Sequence, residues 1–153
     1  MQTVLDEAWM WQLHAVLFQD DLRLILTEMF VGDADDTCTD PNPILQKILR
    51  ETRPTETRDD SRMILVRFPQ TVAWQVVDES YTSWDDYEVR DGKGALQVLS
   101  RSKYLDYVNA NHGWYRDIIG AAEHYRVWTS DAVVDIVACE KPEIGPWQPA
   151  PSL

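Results

Sequence analysis

At 153 residues, 44% hydrophobic and 26% charged, the chain has the size and mixture of one globular domain that buries its own core, which excludes a disordered tail. Its 14 Lys and Arg against 26 Asp and Glu leave a net charge of -12, which repels phosphate backbones and anionic lipid, so direct nucleic-acid binding is not expected. No basic and apolar leader pattern opens the sequence, and the early uncharged stretch at residues 8–19 is too short for a membrane span, so a cytoplasmic protein without membrane attachment is expected.

Along residues 9–18 the chain alternates, with Trp9, Trp11, Leu13, Ala15 and Leu17 on one face and Gln12 and His14 on the other. Residues 22–29 continue the pattern after the polar break Gln19-Asp20-Asp21, which predicts a β-hairpin. Leu5, Ala8, Trp9, Leu13, Val16 and Leu17 also fit a helical stripe, but aromatic and β-branched residues favour strands. Residues 32–42 have the composition of a loop. Pro43 then opens a helix with Ile44, Leu45, Ile48 and Leu49 on one face, capped by Asn42 and ending by about Thr52. Residues 53–62, of mixed charge, read as a mobile connector.

Residues 63–68 and 71–77 read as strands interrupted at Pro69, which cannot donate to a ladder and marks an edge or bulge. Residues 87–90 and 95–99 flank Asp91-Gly92-Lys93-Gly94, a hairpin signal. Ser102 caps a helix carrying Tyr104, Leu105, Tyr107 and Val108, which stops at Gly113. Residues 123–129 and 132–139 form the last hairpin. The elements predict an α+β fold: an antiparallel twisted sheet of hairpins, of about six to eight strands, with two short helices packed against it. Residues 1–141 make a single domain, and 142–153, holding four of the eight prolines, make an extended tail with Trp147 as its anchor.

No stretch carries a catalytic or cofactor signature, so neither an enzyme nor a cofactor is expected. Asp33-Ala34-Asp35-Asp36-Thr37-Cys38 departs from a calcium loop, with Cys38 where Gly is needed and Ile44 where Glu is needed. His14, His112 and His124 have no partner at metal-ligand spacing, so no metal site is expected. Cys38 and Cys139 match no paired motif, and Glu140 disfavours a thiolate at Cys139.

The acidity is uneven. Asp78, Glu79, Asp85, Asp86, Glu88 and Asp91 face only Arg90, and Tyr81, Trp84 and Tyr87 are interleaved with them. Aromatic anchors inside a charged rim are the make-up of a protein-binding hot spot, so these nine residues form the candidate partner-binding segment. Acidity that serves solubility alone is the competing reading. A second candidate is a ligand site or enzyme centre near Arg116, His124, Tyr125 and Arg126, and a third is mimicry of nucleic acid.

The order of a Trp-rich hairpin, a strand running into Val77-Asp78-Glu79-Ser80-Tyr81, the Ser102-Lys103-Tyr104-Leu105 helix and a closing His124-Tyr125-Arg126 hairpin resembles small acidic bacterial proteins similar to immunity proteins of interbacterial toxin systems. The resemblance implies an inhibitor that binds one cognate toxin, and the charge suits a basic toxin such as a nuclease. It implies no catalytic residue.

Overall fold

Hydrophobic alternation divides the strands between two antiparallel sheets in a computed structural model that describes residues 1–33, 40–51 and 53–151. Strands β1 (Met10–Gln19) and β2 (Asp21–Val31) form the first hairpin, turning at Asp20 with a positive φ of 65°. Helix α1 (Pro43–Glu51) follows, then β3 (Thr55–Glu56) and β4 (Met63–Phe68). The second sheet is built from β5 (Thr71–Asp78), β6 (Val89–Arg90), β7 (Leu96–Arg101), β8 (Glu123–Trp128) and β9 (Ala132–Ala138). Helices α2 (Lys103–His112) and α3 (Tyr115–Ile118) lie between β7 and β8, and β10 (Glu143–Pro146) closes the chain.

The first sheet runs β1-β2-β4-β10, with β3 on the end of β2, and the second runs β5-β9-β8-β7-β6. The class is α+β, but the hairpins divide between two sheets instead of forming one. Pro69 and Gln70 are where the chain changes sheets, with Gln70 at a positive φ of 52°. Pro69 thus ends a strand that is paired on both sides, and β5 beyond it is an edge. Leu22, Leu24 and Leu26 of β2 and Ile64, Val66 and Phe68 of β4 share one core with Tyr125 and Val127 of β8 and Val134, Ile136 and Ala138 of β9. Every second residue of these strands points into that core.

In β1 the expected face breaks. Leu13 pairs with Leu26 but Ala15 pairs with Ile25, so His14 is an extra residue in a bulge and the alternation changes phase after it. Val16 turns towards the core and Leu17, expected on the Trp11 face, is exposed. Residues 53–62 are not a free connector either. Glu56 and Thr55 pair with Phe30 and Val31, Arg58 lies over the Phe30 ring, and Arg62 makes a two-pronged ion pair with Glu28 at 2.7 and 3.1 Å. The Pro-rich tail likewise enters the fold: β10 pairs with β4, and Trp147 donates its backbone N–H to Met63 O at 2.9 Å. Pro at the last residue of an edge strand sacrifices no ladder bond that the sheet needs.

Asn42 caps α1 by accepting from Ile44 N at 3.0 Å, although Ile44 and Leu45 are exposed. Helix α2 packs on the outer face of the second sheet through Tyr104, Leu105 and Val108, with Tyr115 of the unexpected α3 beside them. That outer face is therefore apolar under the helices and polar beside them.

Candidate functional site

The polar half of this face is built by register. Gln97 of β7 lies opposite Arg126 of β8, Arg126 opposite Asp135 of β9, and Asp135 opposite Gln75 of β5. Because paired residues share a face, four strands place one polar row across the sheet. Arg126 Nε donates to Asp135 Oδ1 at 2.7 Å and Gln75 Nε2 to Asp135 Oδ2 at 3.0 Å. Two residues before Arg126, His124 sets Nε2 2.7 Å from the same Oδ1, while its Nδ1 lies 2.6 Å from Ser102 Oγ. Burial alone would raise the Asp135 carboxyl, but the hydrogen bonds and charges of His124 and Arg126 outweigh it and bring it to about 2.

Ser102, His124 and Asp135 thus form a hydrogen-bonded chain of the residue types that hydrolases use. Ser102 and His124 are fully buried, and Asp135 nearly so. The serine hydroxyl also accepts the Leu105 N–H at 3.0 Å as the cap of α2, so its oxygen is held under the helix, where no substrate reaches it. Ser102 Oγ and Asp135 Oδ1 each lie within hydrogen-bond distance of one ring nitrogen, so both nitrogens of the buried His124 have a partner. The array locks α2 onto the sheet.

The acidic segment folds over the same polar row. Arg126 donates from both terminal nitrogens to Glu88, at 2.8 and 2.9 Å, and Arg90 pairs with the same carboxylate. Asp85 pairs with Lys103 of α2 at 3.2 Å, the Tyr87 hydroxyl donates to Asp106, and Arg101 Nε donates to Tyr87 O at 2.7 Å. Asp91 receives the Val98 N–H at 2.9 Å and pairs with the Met1 amino group.

These contacts divide the nine candidate residues. Glu88 is buried inside the ion network, and Asp85, Tyr87 and Asp91 hold the segment to α2, to β7 and to residue 1. Asp78 and Glu79 are exposed in a 3-10 turn, where Asp78 caps Ser80 N at 2.9 Å. Asp86 is exposed beside Trp84, whose indole N–H it accepts. Tyr81 is 81% exposed and Trp84 76%, the latter lying 4.3 Å over the Arg90 guanidinium. The outward set is Asp78, Glu79, Tyr81, Trp84 and Asp86.

The second candidate set does not come together. Arg116 is exposed on α3 and donates to Asn109 O, while Tyr125 points the opposite way from its neighbours and packs on Phe68 in the core. His124 and Arg126 alone share the polar row. Asp33 and Asp40 are described, but Asp35, Asp36 and Cys38 of the calcium-like stretch lie outside the described residues. Burial, with the Glu140 charge, raises the Cys139 thiol and so disfavours its thiolate.

Sequence reasoning missed Asp135, Gln75 and Gln97 as a connected group. An Asp between Val134 and Ile136 in an otherwise apolar strand was the available signal, since a buried carboxylate demands partners. Between the segment and the sheet lies a cavity of about 460 Å³, lined by Trp84, Glu88, Arg90, Lys93, Gln97 and Trp128 among others. No family model, curated protein or solved structure matches this chain. Among the described residues no helix is long and apolar enough to cross a membrane.

Proposed function

We propose that this chain is a binding protein for a basic protein partner, engaged through the ridge of Asp78, Glu79, Tyr81, Trp84 and Asp86. The observation that carries the reading is the exposure of Tyr81 and Trp84 in a segment that is pinned from below by buried ion pairs. Large aromatics held in place lose little freedom on binding and bury much apolar area, and the neighbouring carboxylates steer a cationic surface towards them. A bacterial immunity protein that blocks a basic toxin is the form of this function that the acidity and the sequence resemblance favour.

Basic proteins that co-purify with the tagged chain from its native host, and the product of any neighbouring toxin gene, are the partners to titrate by calorimetry at several salt concentrations. Tyr81→Ala and Trp84→Ala are expected to weaken binding by about 2 kcal/mol each. Glu79→Lys and Asp86→Lys should slow association and flatten its salt dependence. Affinity indifferent to salt and to all four substitutions overturns the reading. Charge reversal at Asp85 or Glu88 is uninformative, because both hold the segment in place.

A further inference from the structure

The cavity beneath Trp84 has a chemistry of its own. Its size, about 460 Å³, is that of a small-molecule site, and the indoles of Trp84 and Trp128 supply flat apolar wall. Its carboxylates are already engaged: Glu88 by Arg90 and Arg126, Asp91 by the amino group of residue 1 and the Val98 N–H. Its donors are not. Arg90 Nε is buried with no acceptor, and Lys93 at the rim has no ion-pair partner among the described residues. A buried donor without an acceptor costs stability, and an incoming oxygen recovers it. In a chain of net charge -12, this hollow thus keeps a buried donor unsatisfied although Glu88 and Asp91 line it.

We propose that the cavity binds a flat, apolar group that carries a carboxylate, the ring lying against Trp84 and Trp128 and the carboxylate taken by Arg90 and Lys93. Trp84 covers the Arg90 guanidinium and is otherwise exposed, so a small swing of its indole opens the Nε donor. A second hollow of about 450 Å³ shares Lys93, Gln97 and Trp128 and adds Trp9 and Trp11, giving room for the rest of a longer ligand. The carboxylate belongs either to a free aryl acid or to the C-terminal aromatic residue of a peptide, which present the same chemistry. The site shares Trp84 with the basic-partner ridge but none of Asp78, Glu79, Tyr81 and Asp86.

The test is a titration of the full chain, followed through the indole N–H signals of Trp84 and Trp128 by NMR, with phenylacetate and N-acetylphenylalanine and with the amide of each. Both signals should shift saturably with at least one acid and with neither amide. Lys93→Gln should weaken that binding about tenfold, the worth of one charge-assisted hydrogen bond. The tighter of the two acids identifies the source. Glu79→Lys and Tyr81→Ala, which report on the ridge, should leave acid binding unchanged. Equal binding of acids and amides, no saturable shift with either acid, or wild-type affinity in Lys93→Gln each overturns the proposal.

Discussion

Asp135 is held by three side chains at once, and two properties follow from that. Asp135→Asn leaves the Arg126 guanidinium in the sheet with one carboxylate fewer, so the variant should be less stable by about 3–5 kcal/mol in urea titrations. Its carboxyl is depressed from 3.8 to about 2, so the folded state binds the proton less readily than the unfolded chain and is favoured fully where the acid is ionised in both. This contribution, roughly 2 kcal/mol, is in place above about pH 4 and is lost as pH falls through about 2. The urea midpoint of the wild type should therefore drop over that window more than that of Asp135→Asn. Ser102→Ala removes both the cap of α2 and the partner of His124 Nδ1, at a cost of about 1–2 kcal/mol, and a double substitution with His124 should be markedly non-additive.

At the level of elements, close approach explains Gly113. A Cβ there would stand 2.3 Å from Asn109 O, a backbone atom that cannot move without disturbing the end of α2. Gly113→Ala should cost about 1–3 kcal/mol, whereas Gly92→Ala, with nothing within 4 Å, should be close to neutral in thermal denaturation. The tail offers a second test. Truncation after Lys141 removes β10 and strips the edge of β4 of its partners, so the shortened chain should lose several kcal/mol at roughly 1 kcal/mol per ladder hydrogen bond. A tail without a structural role would leave the unfolding midpoint unchanged.

For the whole molecule, charge divides into two populations. Buried and half-buried acids such as Asp135, Glu88 and Glu28 are paired with arginines, while the surplus lies on the surface and repels itself. Salt screens the surface charges far more than the buried pairs, so the melting temperature at neutral pH should rise on adding salt. Near the sequence pI of about 4.5 that rise should vanish. A melting temperature that falls with salt at neutral pH would mean that exposed ion pairs outweigh the net repulsion.

The hairpin turning at Asp20, the Asn42 and Ser102 caps, and the closing hairpin were all legible because each depends on residues within a few positions of one another. So was the concentration of acids and aromatics at residues 78–91, which is a property of composition. The division into two sheets was not, because the residues on either side of Pro69 read as strands whichever sheet receives them. The bulge at His14 was hidden for a related reason: an extra residue is defined by its partner strand, and Leu26 and Ile25 are its evidence. Above all, composition alone makes the segment acidic and aromatic, whereas the packing of distant strands sets which of its acids are free. Coulombic pairing depends on distance in space. Glu88 meets Arg126 from 38 residues away, and that contact converts it from surface charge into the fastening that holds Tyr81 and Trp84 outward.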